Sequence, residues 1–167
     1  MCKPRHLLIT AAALSFDMSL FQAGLAFSPR WSAAYGGPPQ LVANPPLLLA
    51  AGILMSFAFM VFGLYGLSGA GVIRRLPLLR LGLLGIGSGY FLMGSSFIPQ
   101  ALVLAHVLPA TQPIMLHLVA FTFIALVTGL LYLVGLAIGW KSLGTRAAGG
   151  GKARRGDRVE RIEAARI

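Results

Sequence analysis

Two long stretches of this sequence contain no charged side chain, and they limit the folds open to it. Residues 31–73 form the first stretch and residues 81–140 the second, in a chain of 167 residues. Charged residues make up 11% of the chain, whereas about 25% is usual for soluble domains. A water-soluble domain could not cover such long segments with polar groups, so the sequence predicts that lipid surrounds most of the chain.

Four apolar runs are long enough to cross a bilayer about 30 Å thick at about 1.5 Å per residue. They cover residues 7–27, 47–67, 78–98 and 114–140. Prolines separate the first run from the second and the third from the fourth, and a glycine-rich turn at residues 68–71 ends the second. The sequence therefore predicts an all-α integral membrane protein, with a bundle of four transmembrane helices over residues 1–140.

The basic residues predict the orientation of these spans, because lysine and arginine collect on the cytoplasmic side of a membrane. One side has Arg30 alone. The other has Lys3, Arg5, Arg74, Arg75, Arg80, Lys141 and Arg146. We therefore expect both termini to lie in the cytoplasm.

Residues 141–167 are expected to form a basic, largely disordered cytoplasmic tail. Eight of the fourteen lysine and arginine residues lie there, and the formal net charge of the chain is +10. In a membrane protein this excess is expected to meet anionic lipid headgroups rather than nucleic acid. Asp157 and Arg161 stand at i,i+4 spacing, which favours a weak helix within the tail.

Small residues recur at helical spacing in the predicted spans, and such residues let transmembrane helices approach closely. The residues expected to pack one helix against another are Gly52, Ser56, Gly63, Gly82, Gly85 and Gly89. Each span has at least one such side, which predicts a compact four-helix bundle. One glycine track is left over for a second subunit, so a homo-oligomer or a larger membrane complex is expected.

Asp17 stands in the middle of the first apolar run, about 15 Å from each membrane surface. A charged aspartate at that depth costs about 2.5–3.5 kcal/mol on insertion scales. No basic residue is expected at the same depth, but Ser56, Ser88 and Tyr90 could form hydrogen bonds with the carboxyl group. Asp17 could be structural, joining helices as a neutral acid. It could instead bind a proton or cation, or pair with a basic residue of another subunit.

The loop that carries Arg74, Arg75 and Arg80 suits a lipid phosphate, since guanidinium groups and a helix N-terminus both bind phosphate. The same arginines are also explained as an orientation signal alone. His106 and His117 fall on the other side of the membrane without an acidic residue or cysteine to complete a metal site. No set of nucleophile, base and acid is present at one depth, so we expect neither catalysis nor a metal or cofactor.

The segment FGLYGLSGAGVIRRLPLLR of residues 62–80, with the NPP of residues 44–46, resembles segments of small bacterial inner-membrane proteins of unassigned function. That resemblance covers about the first 140 residues. It implies a location in the bacterial inner membrane but no activity. In architecture the chain is also similar to the small multidrug resistance transporters, which have four spans and an acidic residue in the first. Those transporters use glutamate and shorter loops.

Three functions are consistent with these features. The first is a structural or accessory membrane protein that acts through helix contacts with itself or with a larger complex. The second is a dimeric, proton-coupled small transporter that uses Asp17. The third is an anionic-lipid-binding protein that uses the arginine loop.

Overall fold

The computed structural model describes the backbone of residues 4–105 and 116–164, and the side chains of residues 5–105 and 116–140. Every regular element in this part of the chain is helical. The helices are α1 (Pro4–Ala26), α2 (Pro29–Ala34), α3 (Pro39–Val42), α4 (Pro45–Gly69), α5 (Leu79–Ser95), α6 (Phe97–Leu104) and α7 (Leu116–Ala164).

Four helical segments are long and apolar enough to cross a membrane, as the sequence predicted. They are Arg5–Ala26, Pro45–Gly69, Leu79–Leu104 and Leu116–Trp140. The third is longer than the predicted 78–98, because α6 follows α5 after a break at Ser96. Residues 106–115 lie outside the described residues.

Prolines and caps fix where the helices begin. Pro45 and Pro46 occupy the first turn of α4, where a missing N–H costs no helical hydrogen bond. The side-chain oxygen of Asn44 accepts a hydrogen bond from the Leu47 N–H at 3.4 Å. At the other end, Gly71 has φ +71°, the left-handed conformation that glycine adopts without a steric penalty. These residues confine α4 to a length that matches the thickness of a bilayer.

The four long helices pack as a bundle of two tight pairs. Helix α1 packs along α4, and α5 packs along α7. The pairs are joined mainly where α1 meets α7, whereas α4 and α5 touch much less. Sequential helices run antiparallel: Gly52 of α4 meets Ala26 of α1, and Gly66 meets Ala12. The bundle is therefore closed on three sides and partly open between α4 and α5.

The two ends of the bundle differ in composition. Arg5, the α4–α5 loop and Trp140 lie at one end, which we call the basic end. Helices α2 and α3 lie at the other, which we call the proline-rich end. The ring of Tyr35, just after α2, packs edge-on against Phe21 of α1 at 5.3 Å and against His117 of α7 at 5.0 Å. These contacts hold the α1–α4 connection against the bundle.

The backbone of α7 is helical through Ala164, well beyond the apolar segment. This is more helix than the sequence predicted for residues 141–167. Three consecutive glycines at residues 149–151 oppose helix formation by about 1 kcal/mol each relative to alanine. The largely disordered tail in water therefore stays a prediction.

Candidate functional site

The outer face of α1 is the side of that helix turned away from the rest of the bundle. Its residues are all exposed and recur at i, i+3 and i+4 spacing: Thr10, Ala13, Asp17, Leu20 and Gly24. Apart from Leu20, which is 72% exposed, their side chains are small. An added Cβ at Gly24 would meet no atom within 4 Å. This face could therefore accept another helix at close range.

Asp17 lies at the centre of this outer face. Among the described residues, its carboxyl group has no hydrogen bond or ion pair. Ionisable residues within membrane-spanning helices almost always face the bundle interior or a water-filled cavity, because lipid cannot solvate them. Asp17 points the other way. A single copy of the bundle thus leaves an acidic side chain on the surface that lipid would contact.

The predicted neighbours of Asp17 lie elsewhere in the bundle. Ser56 of α4 forms hydrogen bonds with Ser19: each hydroxyl donates to the other residue's backbone carbonyl at 2.8 Å, and the two hydroxyl oxygens lie 3.0 Å apart. Tyr90 of α5 is buried and donates a hydrogen bond to Ser15. Ser88 is half-buried on α5. The structure does not bring these three hydroxyl groups to the Asp17 carboxyl.

A buried hydroxyl cluster, formed by Ser15, Tyr90 and Tyr132, joins all four long helices. The Tyr90 hydroxyl donates to Ser15 Oγ at 3.2 Å, and Ser15 Oγ lies 3.0 Å from the Tyr132 hydroxyl. The Tyr132 hydroxyl donates to the backbone carbonyl of Phe62 at 2.9 Å. The cluster therefore links α1, α4, α5 and α7 at one level.

The hydroxyl cluster has fewer hydroxyl protons than short oxygen–oxygen contacts. Ser15 Oγ also lies 3.0 Å from the carbonyl of Ala11, to which it can donate. Three hydroxyl groups supply three protons for four close contacts. If Ser15 donates to Ala11 and Tyr132 donates to Phe62, no proton bridges Ser15 and Tyr132. If Ser15 donates to Tyr132, a continuous chain runs from Tyr90 to Phe62. The cluster is therefore a satisfied polar centre with more than one hydrogen-bond arrangement.

Sequence reasoning grouped Tyr90 with Asp17 and missed Ser15 and Tyr132 as members of its hydroxyl cluster. Ser15 and Tyr132 are among the most buried side chains in the structure. The sequence signal that could have identified Ser15 and Tyr132 is that polar side chains are rare in spans this apolar. All three residues are buried, and buried hydroxyl groups need hydrogen-bond partners.

The six small residues predicted to pack helices divide into two groups. An added Cβ would meet Ala26 at Gly52, Phe16 at Gly63 and the Tyr65 ring at Gly82. Those three glycines and Ser56 lie at contacts within the bundle. An added Cβ at Gly85 or Gly89 would meet nothing within 4 Å, and both residues are exposed. The contact of α5 with α7 instead uses Gly87 and Gly94.

A groove of about 550 Å³ separates α4 from α5. Four aromatic side chains line it: Phe59, Phe62, Tyr65 and Tyr90. Exposed residues of both helices, including Met55, Leu81, Gly85, Gly89 and Met93, form its rim. The groove therefore opens sideways, on the surface that a membrane would cover. A smaller cavity of about 230 Å³ lies among α1, α4, α5 and α7, and it shares Phe59, Tyr90 and Met93 with the groove. Asp17 lines neither space.

The α4–α5 loop at residues 70–78 carries the predicted phosphate contacts. Ser68, which is buried, orders this loop: its hydroxyl donates to the Arg74 carbonyl at 3.1 Å and accepts from the Leu76 N–H at 2.9 Å. Arg74 and Arg75 are both exposed.

Arg80 is turned towards α7, where its Nη2 donates to the Trp140 carbonyl at 2.7 Å and its Cζ lies 4.9 Å from the Trp140 ring centre. The three arginines do not converge on one point.

A metal site needs several histidine, cysteine, aspartate or glutamate side chains close together. No group of three or more histidine, cysteine, aspartate or glutamate side chains comes together in residues 5–105 and 116–140. His117 packs against Tyr35, and its Nε2 is buried without a hydrogen-bond partner among the described residues. His106 lies outside the described residues.

Comparison of the chain with protein-family models, with curated proteins and with solved structures finds no match. The resemblance to small bacterial inner-membrane proteins stays a prediction.

Proposed function

We propose that this chain is a small structural or accessory membrane protein that works by docking another transmembrane helix on the outer face of α1. The docked helix belongs to a second copy of the chain or to a larger membrane complex. Its bilayer is the bacterial inner membrane, with the basic end in the cytoplasm, because the exposed arginines concentrate at that end.

The observation that carries this proposal is the exposed position of Asp17. A carboxyl group facing hydrocarbon costs about 2.5–3.5 kcal/mol on insertion scales. A docked helix that donates a hydrogen bond or places a cation beside Asp17 would offset that cost. The residues around Asp17 on the same face fit such a helix, since Ala13 and Gly24 allow close backbone approach.

The proton-coupled transporter has less support. A carrier binds its substrate near the middle of the membrane, in a space enclosed by helices. Asp17 lines neither the α4–α5 groove nor the smaller cavity. A carrier that used Asp17 would need a second subunit to enclose the carboxyl group. A helix docked on α1 would therefore be required for that function too.

Two variants of Asp17 test the proposal. Asp17→Asn keeps the shape and hydrogen-bonding capacity of a protonated carboxyl, whereas Asp17→Leu removes both. The full-length chain and each variant would be extracted from the native membrane in a mild detergent, and the mass of the protein complex would be measured. Leu92→Ala, on α5, serves as the control, because Leu92 is 69% exposed and lies away from α1.

We expect Asp17→Leu to release single chains and Leu92→Ala to leave the complex intact. A complex retained by Asp17→Asn would indicate a hydrogen bond from a neutral acid, and its loss would indicate a cation on the docked helix. A complex of unchanged mass in both Asp17 variants would contradict the proposal.

A further inference from the structure

The α4–α5 groove is an apolar site that docking on α1 does not use, because no residue of α1 lines it. At about 550 Å³ it falls within the range of about 300–1,000 Å³ that is usual for small-molecule sites. Gly85 and Gly89 have no side chain to extend from α5 into the groove, so the chain itself does not fill the space between the helices. In a membrane, the molecules that reach such a groove sideways are lipids.

The length of the groove matches one leaflet of a bilayer. Its lining runs along α5 from Leu81 to Met93, which spans roughly 18 Å at the helical rise. Half of a hydrocarbon core about 30 Å thick is about 15 Å. The groove begins at the basic end, so it would hold an acyl chain whose headgroup lies at that end. A transmembrane helix about 10 Å across would need far more room.

The charge at the end of the groove favours an anionic headgroup. The loop at residues 70–78 joins α4 to α5 and therefore closes the groove at its basic end. Tyr65, which lines the groove, also donates a hydrogen bond to the Pro77 carbonyl of this loop at 3.4 Å. The same loop presents the exposed Arg74 and Arg75. Lysine and arginine beside a membrane surface attract anionic lipids.

We propose that the α4–α5 groove binds one acyl chain of an anionic phospholipid, whose phosphate lies beside Arg74 and Arg75. The aromatic side chains contact the acyl chain, and the loop selects the headgroup. This site is separate from the outer face of α1, so either proposal can fail while the other holds.

The test uses the full-length chain in vesicles that contain a photoreactive phospholipid with a diazirine on its acyl chain. Phosphatidylglycerol carries the photoreactive chain in one preparation and phosphatidylcholine in the other, with the same background lipid. Mass spectrometry of the cross-linked peptides then locates the label. Gly85→Leu fills the groove from an open position. Ala137→Leu is its matched control, because Ala137 is also small and exposed but lies on α7, outside both the groove and the outer face of α1.

We expect labelled phosphatidylglycerol to react with the groove residues of α4 and α5 several times more than labelled phosphatidylcholine. Gly85→Leu should abolish that labelling, whereas Ala137→Leu should leave it unchanged. Replacing both Arg74 and Arg75 by glutamine should bring the labelling by the two lipids close to equal. Arg30→Gln, at the proline-rich end, should not change it.

Equal labelling by the two lipids would overturn the selection of an anionic headgroup. Labelling that survives Gly85→Leu would overturn the groove as its location. A cross-link between two copies of the chain through the groove would show that a protein helix occupies it, and that too would overturn the proposal.

Discussion

The hydroxyl oxygens of Ser15 and Tyr132 lie 3.0 Å apart in the bundle interior, although 117 positions separate the two residues in the chain. Tyr90 donates to the same serine, and Tyr132 reaches the carbonyl of Phe62. One polar centre therefore sets the relative rotation of all four long helices. A rotation of any one helix about its axis would break at least one of these contacts.

Tyr132→Phe is expected to lower the free energy of unfolding, because it removes the hydroxyl that reaches both Ser15 and Phe62. Hydrogen bonds between membrane helices average about 0.6 kcal/mol and reach about 1.7 kcal/mol, so the loss should lie near the upper value. Tyr65→Phe is the control, since that hydroxyl forms only a 3.4 Å bond near the surface. Equal losses in the two variants, measured by unfolding in mixed detergent micelles, would show that the hydroxyl cluster adds no stability.

Combining Tyr132→Phe with Ser15→Ala provides a separate check. Residues in one hydrogen-bond network have coupled energies, so the double variant should lose less than the sum of the two single losses. Fully additive losses would mean that the 3.0 Å contact does not stabilise the bundle.

The same substitution should have opposite effects at two glycines of α5. Gly94→Ala would place a Cβ against the backbone of Leu126 on α7, and overpacking of this kind costs about 1–3 kcal/mol. Gly89→Ala meets nothing within 4 Å and gains up to about 1 kcal/mol in helix propensity. Unfolding measurements on the two variants would contradict the α5–α7 packing if Gly94→Ala were as stable as Gly89→Ala.

Arg80 is expected to stabilise the basic end by joining α5 to α7. Its guanidinium group donates to the Trp140 carbonyl and lies over the Trp140 ring. A charge-assisted hydrogen bond and a cation–π contact together predict a loss of about 1–3 kcal/mol in Arg80→Gln. Arg74→Gln, in the exposed loop, should leave the free energy of unfolding unchanged. If Arg74→Gln destabilised the bundle as much as Arg80→Gln, the contact with Trp140 would not be the cause.

The four long helices could be predicted from the sequence because their signal is local. Apolar length, prolines and caps define each helix without reference to its neighbours, and α4 shows this well: Asn44, Pro45 and Gly71 mark its two ends. The contacts of Gly52, Ser56 and Gly63 with α1 also follow a local rule, since small residues at helical spacing are typical of close helix packing.

The partners of the polar residues could not be predicted, because they depend on how four helices rotate about their own axes. A turn of about 100° separates consecutive residues of a helix, so Ser15 can face the interior while Asp17, two residues later, faces out. The prediction grouped Asp17 with Ser56, Ser88 and Tyr90 because all four residues were expected at the same depth in the membrane. The packing of α1 against α4 and α7 placed the serine inside and the aspartate outside.

The central claim is that another protein helix covers the outer face of α1, and the collision rate of oxygen with a spin label at Leu20 tests it most directly. Cys2, the single cysteine of the chain, is first replaced by serine, and a nitroxide is then attached at Leu20→Cys or Leu92→Cys. In the isolated bundle these leucines are 72% and 69% exposed, so they form a matched pair. Oxygen dissolves in the hydrocarbon core and reaches labels that lipid surrounds. In native membranes we predict a much lower collision rate at residue 20 than at residue 92, and equal rates would contradict the account.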